Sequence, residues 1–408
     1  MNAKLNHRQN TVTLKMVDAA GNALKNVPVH LNLKKHRFLF GCGAFDSVPL
    51  ANGSLDAAGL TKMQDRFDKW LEIFNFGTLP FYLGRFEPEQ GKPQTKELLA
   101  AAKLLQAHDI TVKGHPLCWH TVCAPWLMEM SNKDILKTQL ERITRDVSDF
   151  KGLIDMWDVI NEVVIMPIFD KYDNAITRIC KELGRVQMIK EVFKAARDAS
   201  PNATLLLNDF NTSTNYEILI DGCLQAGVPI DVIGIQSHQH QGYWGKEKVL
   251  EVLERFSSFG LPIHFTENTL ISGDLMPKHI VDLNDFKVDT WPSTPEGEER
   301  QAKEVKEMLT LLFENPLVEA FTIWDHADGK WLGAPSGVLR GDNGKKPVHE
   351  MLKQLIKKDW HTECDAVTNE QGEITFTGFM GDYEATAAQG SGRFVLADEA
   401  NGVATVTL

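Results

Sequence analysis

Residues 156–164 read Met-Trp-Asp-Val-Ile-Asn-Glu-Val-Val, a mostly apolar run that Asn161 and Glu162 interrupt near its end. The length of the run and its branched apolar side chains are typical of a buried strand. A carboxylate seldom lies in apolar surroundings without a partner, because burial penalises its charge. The stretch therefore predicts a core strand that ends in a functional carboxylate.

Seven further apolar runs occupy the middle of the chain, and amphipathic stretches such as residues 95–109 and 186–201 separate them. Buried parallel strands that alternate with helices of this length form βα units. Eight such units predict an α/β fold with a (β/α)8 TIM barrel, whose functional groups lie at the C-terminal ends of the strands. The seven runs are residues 37–45, 73–81, 110–119, 203–211, 231–239, 262–270 and 319–327.

Both ends of the chain are rich in strand patterns. Residues 11–33 alternate apolar and polar around an Asp-Ala-Ala-Gly-Asn turn, which predicts a β-hairpin, and residues 373–408 alternate in the same way. We expect an N-terminal β segment over 1–35, a catalytic barrel over 36–360 and a C-terminal β segment over 361–408. The two β segments are expected to form one small accessory β domain.

Composition narrows the choice of partners. The net charge of −12, without a run of Lys or Arg, argues against nucleic acid. No apolar run is long enough to span a bilayer, and the first residues lack the apolar segment of a secretion signal. These features favour a cytoplasmic protein with no membrane partner, although a chain trimmed of its signal would look the same. The six cysteines form no CxxC pair and are expected to be free thiols, while the oligomeric state stays open.

Five of the eight runs are apolar first and polar last. One such ending would be explained by a helix cap, since Asn, Asp and Ser commonly occupy caps. Five endings in register favour a single polar site at one rim of the barrel. The endings are Asn161-Glu162, Asn208-Asp209, Gln236-Ser237-His238, Thr266-Glu267-Asn268 and Trp324-Asp325-His326.

Two of these endings, on the fourth and seventh runs, carry a glutamate inside an apolar strand. A pair of carboxyl groups can split a glycosidic bond when one protonates the leaving oxygen and the other attacks the anomeric carbon or activates water. The acid needs a raised pKa, which burial and a nearby like charge provide. A lone strand-end glutamate is more often a cap or an ion-pair partner. The pair Glu162 and Glu267, with Asn161 beside the first, favours catalysis.

Over about residues 36–360 the chain resembles the family-10 glycoside hydrolases, the xylanase family, because six motifs occur in the family's order. This resemblance implies a retaining hydrolase of β-xylosidic bonds, with Glu162 as acid/base and Glu267 as nucleophile about 5–5.5 Å apart. It implies an oligosaccharide or small glycoside as substrate, and neither a metal nor a cofactor. The motifs are KGHPLCWH (113–120), WDVINEVV (157–164), LLLNDFN (205–211), IGIQSH (233–238), HFTEN (264–268) and residues 321–352.

The resemblance also assigns substrate-binding residues. Asn161 matches the residue that binds the sugar 2-hydroxyl, and His238 matches the one that orients the nucleophile. For Trp119, packing in the core is an equally good explanation. The remaining matches are Asn208 and Gln236 beside the carboxylates, His115 and Trp119 on the third strand, and Trp324 and Trp331 in the aromatic wall around the reacting ring.

The second strand departs from the family pattern. Residues 78–91 read TLPFYLGRFEPEQG, with Pro80, Phe81 and Gly84 where the family has Glu, Asn and Lys for the sugars on the non-reducing side. We expect Tyr82, Arg85 or Glu87 to replace them, and Phe81 and Tyr82 to close the cleft around one or two sugars. The nucleophile strand also differs, reading TENTL instead of Thr-Glu-Leu-Asp.

Three other functions compete with this interpretation. A metal-dependent barrel hydrolase would explain the histidines near strand ends, but the first strand lacks a His-x-His ligand pair. A non-catalytic carbohydrate-binding protein would be expected to lack one of the two carboxylates. An exo-acting β-glycosidase on small glycosides stays open as the alternative within the hydrolases. The histidines concerned are His115, His120, His238, His240 and His326.

Overall fold

The computed structural model describes residues 3–398 and 403–408. The chain divides into two compact units. One comprises Phe40–Val348, and the other comprises the residues up to Leu39 together with His349–Leu408.

The larger unit is a closed barrel of parallel strands, numbered β1 to β8 here. Each strand overlaps one of the eight predicted runs, and β8 pairs with β7 and neighbours β1 to close the barrel. The predicted (β/α)8 barrel is therefore confirmed. The strands are Leu39–Gly43, Phe76–Pro80, Thr111–His115, Met156–Asn161, Thr204–Asp209, Val232–Gln239, Ile263–Leu270 and Val318–Ile323.

Helices connect the strands, and several of them begin at residues with capping side chains. Ser131 accepts a hydrogen bond from the Asp134 N–H, and Thr294 caps a helix that starts with Pro295. The helices are Ser47–Asn52, Ala57–Leu71, Leu83–Phe86, Thr95–Gln106, Asn132–Asp149, Ala175–Leu183, Arg185–Ala199, Thr214–Gln225, Lys246–Ser257, Pro295–Phe313 and Pro347–Gln354.

Large side chains from the strands fill the core of this unit. Phe76, Trp157 and Phe265 are fully buried. Gly114 on β3 leaves room for the Trp157 ring, because a Cβ at position 114 would lie 2.1 Å from that ring. A substitution at Gly114 would therefore displace the ring that supports the start of β4.

The smaller unit consists of two sheets built from both ends of the chain, as predicted for the accessory β domain. One has the order Glu373–Phe379, Gln9–Val17, Val403–Thr407, and the other has Glu363–Val367, Pro28–His36, Gly381–Ala387, Gly390–Leu396. The hairpin predicted over residues 11–33 is wrong, because its two strands lie in different sheets. Gln9–Val17 pairs with Glu373–Phe379 instead, and Asp18 folds the intervening loop by accepting bonds from Ala20 and Asn22.

Candidate active site

Glu162 follows directly after β4 and faces the ends of the neighbouring strands. Its Oε2 accepts a hydrogen bond from Trp119 Nε1 at 2.9 Å, and its Oε1 accepts from Gln236 Nε2 and Asn161 Nδ2, each at 3.2 Å. The backbone at Glu162 has φ of 57°, a left-handed conformation that costs a non-glycine residue roughly 1–3 kcal/mol. The surrounding contacts hold this strained residue and aim its carboxyl group.

Burial, and then the charge of Glu267, raise the pKa of Glu162 to about 8. The hydrogen bonds from Trp119 and Gln236 act in the opposite direction but do not cancel these effects. Glu162 therefore keeps its proton at neutral pH and can donate it.

Glu267 lies within β7 and is buried. Asn208 Nδ2 donates to its Oε1 at 3.0 Å, and His238 Nε2 lies 3.0 Å from its Oε2. Burial raises the pKa of Glu267, but the electrostatic interaction with His115 and the bond from His238 outweigh burial, so that the pKa lies below its ordinary value. Glu267 is therefore ionised over the range in which Glu162 stays protonated.

One hydrogen-bond network joins the two carboxyl groups. Asn161 Oδ1 accepts from Asn208 Nδ2 at 2.8 Å and from Gln236 Nε2 at 2.9 Å. Asn208 also contacts Glu267, and Gln236 also contacts Glu162. Two carboxyl groups whose environments separate their pKa values are the arrangement that an acid and a nucleophile require.

His115 ends β3 and contacts a buried ion pair. Its Nδ1 lies 2.7 Å from Asp158 Oδ2, which also lies 2.7 Å from Lys113 Nζ, and its Nε2 lies 3.9 Å from Glu267 Oε1. Asp158 thus fixes the ring of His115 with the other nitrogen toward the nucleophile. Sequence reasoning missed Lys113 and Asp158, although charged residues at alternate positions of buried strands are a detectable signal.

An aromatic wall surrounds these polar groups. The Trp324 ring lies 5.2 Å from His115 and 6.0 Å from His238, and the Trp331 ring lies 4.4 Å from His238. Phe45, which sequence reasoning also missed, packs edge-on against Trp324 at 5.2 Å. The structure thus brings together in one site all ten residues predicted for it, including Trp119, which donates to Glu162.

The departure of the second-strand segment from the family pattern has a steric cause at Gly84. A Cβ at Gly84 would lie 2.8 Å from the backbone oxygen of Val122, so that a lysine does not fit there. Phe81 is fully buried, with its ring 4.9 Å from those of Phe150 and Trp157. The expectation that Phe81 closes the cleft is therefore wrong, because this side chain fills the core instead.

The three expected replacements occupy different positions. Tyr82 lies in the site, with its ring 5.6 Å from both His115 and Trp119. Arg85 is exposed and lies over the Tyr82 ring at 5.8 Å. Glu87 is buried and pairs with Arg145 at 2.8 Å, which gives it a structural partner. Tyr82 and Arg85 remain available to a sugar, and Glu87 does not.

Three further observations concern metal ligands, membrane-spanning segments and the cysteines. No three His, Cys, Asp or Glu side chains within residues 3–398 and 403–408 are grouped as ligands for a metal ion. Among the helices of the described residues, none has the length and apolar character that a membrane-spanning segment needs. The six cysteines are all free.

A parallel eight-stranded barrel with a glutamate at the end of β4 and another in β7, joined by one network, defines a barrel glycosidase. The model of glycosyl hydrolase family 10 matches residues 83–350, which is more than half of the chain. The chain belongs to glycosyl hydrolase family 10 and is an O-glycosyl hydrolase. The resemblance inferred from the six motifs is therefore confirmed.

Several relatives are bacterial and plant enzymes. Endo-1,4-beta-xylanase A of Caldicellulosiruptor saccharolyticus is 26% identical over 59% of this chain and 71% of that protein. Endo-1,4-beta-xylanase B of Thermotoga neapolitana is 27% identical over 62% of this chain and 71% of that protein. Endo-1,4-beta-xylanase 1 of Arabidopsis thaliana is 25% identical over 78% of this chain, which spans only 31% of the plant protein.

Solved structures share the fold. Native xylanase 10B from Thermotoga maritima has a TM-score of 0.63 and 21% identity, and the match covers 79% of this chain and 96% of that one. Xylanase 10B from Thermotoga petrophila RKU-1 in complex with xylobiose has a TM-score of 0.63 and 20% identity, covering 79% and 95%.

Proposed function

We propose that the protein is a retaining hydrolase of β-xylosidic bonds in oligosaccharides or small xylosides. The observation that carries the proposal is the hydrogen-bond network that joins Glu162 and Glu267 at one rim of the barrel. Their surroundings raise the pKa of Glu162 and lower that of Glu267. The relatives named as endo-1,4-beta-xylanases support xylose as the sugar at the reacting position.

The chemistry follows from these protonation states. Ionised Glu267 attacks the anomeric carbon while Glu162 gives its proton to the leaving oxygen, which produces a glycosyl–enzyme ester and a free alcohol. Glu162, now ionised, takes a proton from water, and the water oxygen displaces Glu267. Two displacements at the same carbon return the original configuration.

Neighbouring side chains keep the carboxyl groups in place through both steps. His238 and Asn208 hold the two oxygens of Glu267, and Trp119 holds one oxygen of Glu162. We propose that the Asn161 amide turns toward the sugar 2-hydroxyl, and that Trp324 and Trp331 form the wall against which the reacting ring packs.

The proposed function is tested with aryl β-xylosides, whose hydrolysis releases a coloured alcohol. Purified protein should hydrolyse them faster than the corresponding β-glucosides and β-galactosides. Failure to hydrolyse any aryl β-xyloside, with the fold intact by circular dichroism, would refute the proposal. A preference for the glucoside would leave the assignment as a glycosidase intact but would refute xylose as the preferred sugar.

Substrate length on the non-reducing side should matter little. Positions 81 and 84 offer no hydrogen bond to a distal sugar, because Phe81 is buried and Gly84 contacts the backbone of Val122. A charge-assisted hydrogen bond is worth roughly 1.5–3 kcal/mol, so that two missing bonds weaken the binding of a longer chain by about two orders of magnitude. We expect kcat/KM for aryl glycosides of one to five xylose units to level off by two or three.

A fixed aryl group in this series keeps the leaving-group side constant, so that only the non-reducing side varies. A kcat/KM that keeps rising beyond four xylose units would contradict the expectation and would show that Tyr82, Arg85 or a neighbouring loop restores the contacts.

A further inference from the structure

The loops that follow the two glutamates are tied together across the barrel rim. Lys171 Nζ lies 2.6 Å from Asp282 Oδ2 and 2.6 Å from Asp285 Oδ1. Lys171 belongs to the loop after β4, and both aspartates belong to the loop after β7. Because β4 and β7 are three strands apart in the barrel, these ion pairs span the rim on the side of β5 and β6. Lys171, Asp282 and Asp285 are called the rim bridge below.

An aromatic path leads from Glu162 to the rim bridge. Trp119, which donates to Glu162, lies 6.1 Å from the His120 ring, and His120 lies 4.5 Å from Phe169. Phe169 lies 4.8 Å from Tyr172, the neighbour of Lys171 in sequence. Burial lowers the pKa of His120 to about 4, so that its ring is neutral at neutral pH.

A second aromatic path leads from Glu267 to the other end of the rim bridge. His238, the partner of Glu267, lies 6.2 Å from His240, and His240 lies 5.9 Å from Trp291. Trp291 lies 4.9 Å from Phe286, the neighbour of Asp285 in sequence. Burial lowers the pKa of His240 to about 3, so that this ring is also neutral.

The two loops also expose large apolar side chains. Tyr172 is 47% exposed and Val281 is 99% exposed. Single exposed apolar residues are ordinary, but five of them on two loops that the rim bridge joins favour a binding surface. The other members of the group are Ile168, Leu275 and Val288.

The position of the acid shows which part of the substrate meets these loops. In the proposed function Glu162 protonates the leaving oxygen, so that the leaving group contacts the carboxyl group from which the loop with Lys171 continues. Trp324 and Tyr82, which follow β8 and β2, contact His115 at the end of β3, and the proposed function places the reacting sugar among these residues.

We propose that the rim bridge and the exposed apolar side chains of its two loops, supported from beneath by the two aromatic paths, bound a pocket for the leaving group, which takes a flat apolar alcohol, such as an aryl or fused-ring aglycone, in preference to an extended xylose chain. The inference rests on the proposed function and names the substrate class of the same site. A long xylose chain would have to leave the site past the ion pairs that join the two loops.

The rim bridge is exposed enough to be opened. The side chains of Lys171 and Asp285 are 38% and 62% exposed, and ion pairs of this kind weaken as salt is added. High ionic strength should therefore act in the same direction as removal of the lysine charge.

The test compares the unaltered chain with Lys171→Met, which keeps the length of the side chain and removes its charge. The matched control is Lys194→Met, because Lys194 pairs with Asp198 on an outer helix. Two readouts are taken: kcat/KM for naphthyl β-xyloside relative to xylobiose, and the bonds cleaved in xylopentaose that carries a heavy-oxygen label at its reducing end.

The unaltered chain should prefer the naphthyl substrate and should release the label mainly on fragments of one or two sugars. Lys171→Met, and the unaltered chain in about 1 M salt, should move the label to longer fragments and lower the naphthyl preference several-fold, whereas Lys194→Met should change neither readout. If Lys171→Met is active and has the same naphthyl preference and the same xylopentaose cleavage pattern as the unaltered chain, this inference is overturned and the proposed function is not affected. Failure of the unaltered chain on every β-xyloside would overturn the proposed function as well.

Discussion

Replacing Glu267 by alanine should lower kcat/KM for every β-xyloside by about five orders of magnitude, because no other group can form the glycosyl–enzyme ester. The structure supports a loss of this size. Asn208 and His238 hold both oxygens of the carboxylate, and the remaining carboxyl group at Glu162 is protonated at neutral pH. The measurement is the initial rate of aryl release at matched protein concentration.

Glu254→Ala serves as the control for Glu267→Ala, since Glu254 is an exposed glutamate on the outer helix Lys246–Ser257. The control should retain full activity. Azide occupies the space that alanine leaves and attacks once, so that any product from Glu267→Ala should have the α configuration. A β-configured azide from this variant would show that Glu267 is not the nucleophile.

Replacing Glu162 by alanine should give a loss that depends on the leaving group. General acid catalysis contributes roughly 10²–10⁴-fold, and this contribution is needed only when the leaving alcohol is a poor one. We expect kcat/KM for xylobiose to fall by about that factor and kcat/KM for dinitrophenyl β-xyloside to stay close to that of the unaltered chain. Azide should speed breakdown of the ester and yield a β-xylosyl azide. Equal losses of kcat/KM on both substrates would contradict the role of Glu162 as the general acid.

The pH dependence tests the same residue independently. The pKa of Glu162 is raised to about 8, so that kcat/KM of the unaltered chain should fall as the pH rises through that value and the acid loses its proton. On the other side, activity should fall only below the ordinary range of a glutamate, because the pKa of Glu267 is lowered. The unaltered chain should show the alkaline fall with xylobiose, which needs the acid, and not with dinitrophenyl β-xyloside, which does not. An alkaline fall of equal size with both substrates would assign that titration to another group.

The fold was predictable because each barrel strand is a short apolar run, and in five of the eight runs the polar residues come last. Burial on both faces of a parallel strand imposes the apolar part, and the shared rim imposes the polar end. The terminal hairpin was not predictable in the same way. Alternation of apolar and polar residues on either side of a turn indicates two strands, but it does not identify their partners. Here Gln9–Val17 pairs with Glu373–Phe379, hundreds of residues away.

The site was predictable where residue type and strand position coincide, as at Glu162, Glu267 and His238. It was not predictable where the direction of a side chain decides its role. Phe81 and Tyr82 are adjacent in sequence, yet one fills the core and the other contacts His115. The rim bridge lies beyond any local pattern, because Lys171 and Asp282 are more than a hundred residues apart and meet only after the barrel closes.

The configuration of the first product tests the double displacement most directly. Proton NMR of aryl β-xyloside hydrolysis, started with enough enzyme to finish before mutarotation, should show the β-anomer of xylose first and the α-anomer only later. Retention follows from attack by Glu267 and a second displacement on the opposite face. Appearance of the α-anomer first would mean a single displacement by water, and would contradict the roles proposed for Glu267 and Glu162.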